Sequence, residues 1–403
     1  MNEFKGAFPT NHGPRFLLAV LLGVLLLTGC GSPPERQLSE APPTYAMLPN
    51  GNDPLNPDQL SPLYVAVSGG VEGNFARIME RVKGRPLNVL SLSGGGQNGA
   101  FGAGFLVGWR ESGTRPQFDA VGGVSTGALL ATHALLGTPE DDAKLEEMYT
   151  RITKDDIYHR RSIFGIASGA DSLLDTAPLR RLIEKYITAQ TLARVAAALD
   201  DKRFLLVATT NVDYDQTWVW NMSQIAKDGN LKVYRDVLLA SASFPIMFPP
   251  VEIDGHLFVD GAARSNLVVL GLAGPLRPGP PLHGPGNIYM IDNGRLSNPP
   301  EALRRALGDV AATTISVMMN QSMQTAMMRT YLGAKALGYN FNMVGIEPQV
   351  PIGKDPLAFE PGEMRAAFDA GRELARQPAP WQTQPPTSSD LPPWASDLIS
   401  TSP

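Results

Sequence analysis

The sequence predicts an α/β fold, a three-layer α/β/α sandwich around a largely parallel central sheet. Short apolar runs, typical of buried strands, alternate with longer stretches of helical periodicity, and this alternation favours parallel strands connected by helices. The chain has 403 residues, 43% of them hydrophobic, which is enough for a sizeable core. No internal repeat and no linker between two folded units is evident. We therefore expect one folded domain at residues 63–376, with its core at 87–295.

The individual elements follow from local composition and periodicity. Strands are predicted at residues 87–92, 118–124, 204–211, 217–222, 257–259 and 288–292. Helices are predicted at residues 97–111, directly after Ser125, and at 139–150, 176–198, 234–241 and 300–340. In this order a strand precedes each of two glycine-rich turns.

The N-terminal segment, residues 1–29, has the pattern of an export signal. Lys5 and Arg15 precede the apolar run at 16–27, which is too short to span a bilayer, since spanning takes roughly 20 residues. The run ends in LTGC, which resembles a bacterial lipoprotein box, and this resemblance implies that Cys30 is lipidated. A plain signal peptide followed by an incidental cysteine is the alternative. Cys30 is the single cysteine of the chain, so no internal disulfide is expected.

Gly31 after the cysteine, rather than Asp, resembles the outer-membrane default of Gram-negative lipoproteins. We therefore expect an exported lipoprotein of the cell envelope, on the outer membrane facing the periplasm, attached to the membrane surface through its lipid anchor. The net charge is −5 and no basic tract occurs, which argues against a nucleic-acid partner. The composition does not indicate an oligomeric state.

The two ends of the chain are rich in proline. Residues 30–62 predict a flexible tether between the lipid and the domain, and residues 377–403 predict a mostly irregular tail. Trp381 and Trp394 in this tail could dock onto the domain or touch lipid, and docking is favoured.

The first motif is Ser93-Gly94-Gly95-Gly96-Gln97-Asn98-Gly99, directly after a predicted strand. Glycines let backbone N–H groups turn toward a ligand, and the helix that follows favours negative charge at its start. An oxyanion hole is the favoured interpretation. A dinucleotide site would need an acidic residue at the end of the next strand, but Asp119 lies before that strand. A purely structural glycine turn is the third possibility.

The second motif is Gly123-Val124-Ser125-Thr126-Gly127, a G-x-S-x-G pattern between a strand and a helix. This arrangement presents a nucleophilic serine on a sharp turn. His133 lies two helical turns further on, roughly 12 Å along the axis, and cannot reach the serine. We interpret it as a packing or surface histidine.

The third motif is Asp260-Gly261-Ala262. Asp-Gly usually marks a hairpin or loop, and His256 before it is interpreted as a turn residue. A partly desolvated carboxylate within reach of the serine hydroxyl can also act as a base.

Taken in this order, the three motifs resemble the patatin-like phospholipase family over residues 87–295, and residues 175–186 and 240–251 are also similar to it. The resemblance implies a patatin-like α/β fold with a catalytic Ser–Asp dyad and no histidine. It identifies Ser125 as nucleophile, Asp260 as base, Gly94, Gly95 and Gly96 as the oxyanion hole, and Gly99, Gly123, Gly127 and Gly261 as motif glycines. Asn98 stands where many family members carry a basic residue, which weakens any preference for anionic phospholipids.

The expected activity is therefore hydrolysis of lipid carboxylic esters through an acyl-enzyme, with no cofactor and no metal. Phospholipid, lysophospholipid, monoacylglycerol and simple esters all remain candidate substrates. Two alternatives stay open: a Ser–Asp–His esterase using His283, and a non-catalytic lipid-binding lipoprotein. The methionines at 318, 319, 323, 327 and 328 predict a core or interface face more than an acyl pocket. Residues 139–172 are either a lid or a surface insertion.

Overall fold

The computed structural model describes residues 36, 45–47, 85–162, 169–268, 286–295, 302–303, 305–336, 338–353 and 355–386. The predicted signal peptide, Cys30, His283 and Trp394 lie outside these residues.

The strands of the described residues form a mixed, mostly parallel sheet. They are β1 (Ala46–Met47), β2 (Leu87–Leu92), β3 (Ala120–Val124), β4 (His159–Arg160), β5 (Leu174–Asp175), β6 (Phe204–Asn211), β7 (Gln216–Asn221), β8 (Val251–Ile253), β9 (His256–Asp260), β10 (Gly286–Arg295) and β11 (Asn340–Ile346). Over the described ranges nine strands share one sheet in the order β1-β7-β6-β3-β2-β10-β11, with β9 pairing β6 and β8, while β4 pairs β5. The five strands from β6 to β11 in this order run parallel, which confirms the predicted α/β class.

Helices cover both faces of this sheet. They are α1 (Gly99–Glu111), α2 (Thr126–Leu136), α3 (Pro139–Thr150), α4 (Ala177–Tyr186), α5 (Ala189–Asp200), α6 (Met222–Lys227), α7 (Leu231–Ser241), α8 (Leu307–Ala336) and α9 (Pro361–Ala375). Strand β6 shows the two-sided burial: Leu205 and Val207 pack with α1 and its neighbours, whereas Leu206 and Ala208 pack on the side of α8. Side chains of a strand alternate between faces, so two apolar layers enclose the sheet.

Two predicted helices differ from the observed ones. The helix expected at 176–198 is two helices, because Thr188 adopts an extended conformation and its side chain accepts a hydrogen bond from Thr191 N at the start of α5. The helix expected at 300–340 ends earlier: Gly338 has φ 69°, the left-handed conformation that stops a helix, and β11 follows. Helices α6 and α9 and strands β1, β8 and β11 were not predicted.

Two described segments outside the predicted domain pack onto it. Ala46 pairs with Trp220 and Met47 with Val219, so β1 extends the sheet from within the predicted tether. The indole of Trp381 lies 4.7 Å from that of Trp109 and 5.0 Å from the Phe105 ring, which confirms that it docks onto the domain. Within the described residues, no helix has the length and apolar character needed to cross a membrane.

Candidate active site

Strands β3 and β9 meet end to end along one edge of β6. Val124, the last residue of β3, pairs with Ala208, and Asp260, the last residue of β9, pairs with the next residue, Thr209. The turn that begins at Ser125 therefore starts beside Asp260. Residues 135 positions apart in sequence are thus brought together by the register of a single strand.

Ser125 occupies a sharp turn between β3 and α2. Its φ is 55°, a left-handed conformation that costs energy for any residue other than glycine. The backbone N–H of Ser125 donates to Ser241 Oγ at 2.9 Å. Gly123 and Gly127 allow this turn, because a Cβ on either would overlap the backbone of Gly127 or Leu92 respectively. The serine is thus held in the strained geometry expected of a presented nucleophile.

Asp260 is a buried carboxylate, 1% exposed. Its Oδ1 accepts a hydrogen bond from Ala262 N at 2.9 Å, and its own N–H donates to Ser243 O at 2.8 Å. Burial raises the pKa of Asp260 to about 7, while the Ser125 side chain and the Ala262 N–H act in the opposite direction. Among the described residues Oδ2 makes no hydrogen bond of standard geometry, so this oxygen remains available beside the nearby Ser125 hydroxyl.

The glycine-rich turn follows β2 and leads through a 3-10 turn, Gly96–Asn98, into α1. Gly94 N donates to Asn266 Oδ1 at 2.8 Å, so this N–H is occupied and does not serve as the free donor that the sequence predicted. Within the described part of the chain the N–H groups of Gly95 and Gly96 donate to no acceptor. These two amides are the ones left for a developing oxyanion.

Residues at the end of β10 hold the glycine-rich turn in place through hydrogen bonds. These contacts were not predicted from the sequence. Asn293 Nδ2 donates to Ser93 O at 2.7 Å, and Asn293 N donates to Ser93 Oγ at 2.8 Å. Ser93 Oγ in turn lies 3.1 Å from Asp292 Oδ1, and burial raises the pKa of Asp292 to about 6. The sequence offered one signal for Asp292 and Asn293. Both are polar and lie at the carboxyl end of a predicted parallel strand, where ligand sites are commonly found.

One cavity of about 840 Å³ is lined by residues from each of the three motifs. Ser125 and Asp260 lie in its wall together with apolar side chains, which include Leu179, Phe244 and Phe248. The methionines of helix α8 that share this wall are Met319, Met323, Met327 and Met328. The sequence favoured a core face for them; in the structure Met323 and Met327 are buried and also line the cavity, while Met318 is 64% exposed and does not.

The segment interpreted as a lid or insertion begins with a packed helix. Helix α3 packs on α1, α2 and α9, and its residues Met148 and Tyr149 contribute to the cavity wall. The first part of this segment is therefore a fixed wall of the cavity. Residues 163–168 lie outside the described part.

No histidine of the described residues lines the cavity. His133 is fully buried, and its Nδ1 lies 3.1 Å from Asp141 Oδ1, which agrees with a packing role. His256 was interpreted as a turn residue, but it is the buried first residue of β9, with its ring 5.3 Å from that of Trp218. Apolar packing at the start of β9, rather than the preceding Asp254-Gly255 turn, decides its environment.

Residues 90–273 match the model of the patatin-like phospholipase family. Over these residues the match confirms the resemblance to this family seen in the motifs. No curated protein sequence matches the chain.

Two of the solved structures that match the chain do so at low sequence identity. VipD from Legionella pneumophila is 13% identical with a TM-score of 0.31, and the match covers 72% of this chain and 66% of that one. Human GIVD cytosolic phospholipase A2 is 14% identical with a TM-score of 0.33, and the match covers 83% of this chain and 64% of that one. The chain thus spans slightly less than two thirds of each of these proteins.

Proposed function

We propose that this protein is a serine lipid acyl hydrolase that cleaves carboxylic esters through a Ser125–Asp260 dyad. The observation that carries the proposal is the adjacency of Ser125 and Asp260 along β6, in the wall of a largely apolar cavity. A carboxylate whose pKa is about 7 is well matched to general-base catalysis near neutral pH.

In the first half-reaction, Asp260 accepts the Ser125 proton as Oγ attacks the ester carbonyl carbon. The N–H groups of Gly95 and Gly96 stabilise the oxyanion of the tetrahedral intermediate. The carbon–oxygen bond to the alcohol then breaks, and the proton held by Asp260 passes to the leaving oxygen. An acyl-Ser125 ester and a free alcohol result.

In the second half-reaction, a water molecule attacks the acyl-enzyme. Asp260 takes a proton from this water, and the same two amides hold the second oxyanion. Collapse of the intermediate releases the carboxylic acid, and the proton returns from Asp260 to Ser125 Oγ. The dyad is regenerated without a metal or an organic cofactor.

The cavity suits a lipid acyl chain because its wall is rich in Leu, Phe and Met side chains. We further propose that the mature protein is a lipoprotein anchored through Cys30 in the cell envelope, on the periplasmic side of the outer membrane. Incorporation of an alkynyl palmitate into the wild type but not into Cys30→Ser, with fractionation of the membranes, tests this anchor. Absence of label from both proteins would favour an ordinary signal peptide.

The activity is tested with purified protein and a mixed lipid extract, by mass spectrometry of the products. We expect wild-type protein to release fatty acids and to react with a fluorophosphonate, and Ser125→Ala to do neither. Full activity in Asp260→Asn together with loss in His283→Ala would replace the dyad by a Ser–Asp–His triad. If wild-type protein neither hydrolyses short- and long-chain esters nor reacts with the fluorophosphonate, a lipid-binding role is favoured.

A further inference from the structure

Asn266 lies six residues after Asp260 and brings a side-chain amide to the same point as the nucleophile. It is buried, 7% exposed, and lines the cavity that contains Ser125. A Cβ placed on Gly94 would lie 2.5 Å from Asn266 Oδ1 and 2.9 Å from Ser125 Cβ. Asn266, the glycine-rich turn and the nucleophile therefore converge on one small volume.

The orientation of this amide follows from its partner. Gly94 N–H can only donate, so the group that faces it at 2.8 Å must be the amide oxygen, Oδ1. Nδ2 is then turned away from Gly94, and among the described residues no acceptor takes a hydrogen bond from it. Because Asn266 lines the cavity, this side-chain N–H₂ group can donate a hydrogen bond to a ligand atom there.

The backbone of Asn266 is fixed from the opposite side. Asn266 N donates to Ser322 Oγ of helix α8 at 3.1 Å, and Ser265 Oγ donates to Leu267 O at 2.9 Å. The side chain is thus held between α8 and the glycine-rich turn, which limits its freedom before a substrate arrives. Preorganised donors of this kind stabilise a developing charge most effectively, because they need no reorganisation during the reaction.

We propose that Asn266 is a further catalytic residue of the hydrolase. Its Oδ1 anchors Gly94, and its Nδ2 donates a hydrogen bond to the oxyanion beside the N–H groups of Gly95 and Gly96. This assignment rests on the proposed function. It gives the Gly94 N–H an anchoring role, with the side chain of Asn266 as the third oxyanion donor.

Two substitutions separate the donor role from the anchoring role. Asn266→Ala removes both, whereas Asn266→Asp keeps an oxygen for Gly94 and replaces the donor by an acceptor. We expect both variants to lower kcat on a soluble ester by on the order of 100-fold or more, with KM within about threefold of wild type. A trifluoromethyl ketone, which forms an oxyanion with Ser125, should lose affinity in parallel with kcat/KM. Asn287→Ala is the matched control. Asn287, at the start of β10, donates from Nδ2 to Asn88 Oδ1 of β2 and does not line the cavity.

The experiment distinguishes failure of the Asn266 assignment from failure of the proposed hydrolase function. If Ser125→Ala abolishes hydrolysis while Asn266→Asp keeps the wild-type kcat and inhibitor affinity, the donor role of Asn266 is overturned and the dyad stands. Loss of kcat in Asn266→Asp with an unchanged thermal midpoint supports the donor role. Wild-type hydrolysis in Ser125→Ala would instead overturn the function on which the assignment depends.

Discussion

The hydroxyl of Ser241, at the end of α7, accepts the backbone N–H of Ser125 at 2.9 Å and donates to Ala208 O at 2.7 Å. A side chain 116 residues away in sequence thus bridges the turn of the nucleophile to β6, the strand with which Asp260 of β9 also pairs. Strained backbone persists only where surrounding structure over-determines it, and Ser241 is one such constraint.

The first prediction concerns this bridge. Ser241→Ala leaves the buried Ser125 N–H and Ala208 O without a partner, so the free energy of unfolding should fall by about 1–3 kcal/mol. The relaxed turn should also lower kcat, as measured on a soluble ester. Ser112→Ala is the control, because Ser112 Oγ bonds Trp109 O at the end of α1. Equal effects of the two variants on kcat would contradict the role of Ser241.

The second prediction concerns the pH dependence of activity. Because burial raises the pKa of Asp260 to about 7, the base is protonated in acid, and kcat/KM should rise with pH through about 7. A pH–rate profile on a substrate without titratable groups measures this. A profile that is flat from pH 5 to 9 would show that Asp260 is not the titrating base.

The third prediction concerns stability at the same residue. The folded pKa of Asp260 lies above the unfolded value, so between about pH 4 and 7 the folded state binds more protons, and stability falls as pH rises. Asp260→Asn removes the ionisable carboxyl and with it this loss of stability. The variant should therefore be inactive but more stable than wild type at pH 8, with a smaller difference at pH 4, in thermal unfolding at both values. A lower melting temperature for the variant at pH 8 would argue against a buried, destabilising carboxylate.

The fourth prediction concerns Asp141 at the start of α3, where it accepts hydrogen bonds from Arg194 and contacts His133. Burial alone would raise the pKa of Asp141, but hydrogen bonds from His133, Arg194 and Thr138 outweigh it and hold this pKa well below its usual range. A lowered folded pKa contributes stability that is present above the unfolded pKa near 4 and is lost as pH falls below it.

Asp141→Asn should therefore lower the melting temperature at pH 7 more than at pH 3. The control is Glu140→Gln, one residue earlier, whose side chain is exposed and forms an i,i+4 ion pair with Lys144. A larger effect of the control than of Asp141→Asn would exclude the buried cluster as a source of stability.

The fifth prediction concerns the acyl chain. Met328 is half-buried in the cavity wall, so Met328→Phe should fill space needed by a long chain. We expect kcat/KM for a long-chain ester to fall about tenfold relative to a short-chain ester, since pocket contacts discriminate by a few kcal/mol at most. Met318→Phe, on the exposed side of the same helix, should leave the ratio unchanged. An unchanged ratio in Met328→Phe would place the acyl chain elsewhere.

The sequence by itself determined the features whose causes are local. Alternating apolar runs and helical stretches predicted the α/β sheet, and strands β2 and β6 have the predicted bounds. Ser125 and Asp260 were identifiable because a strand-to-helix turn and an Asp-Gly step need particular residues at consecutive positions.

Only the tertiary structure decided which groups face each other. The pairing of β3 and of β9 with β6 brings Ser125 beside Asp260, and hydrogen bonds join Gly94 to Asn266 and Ser93 to Asn293. The two residues of each of these three pairs are more than 100 positions apart in sequence. Strand register and the direction of the Asn266 side-chain amide depend on how the whole sheet and α8 pack. This packing cannot be inferred from the residues adjacent in sequence.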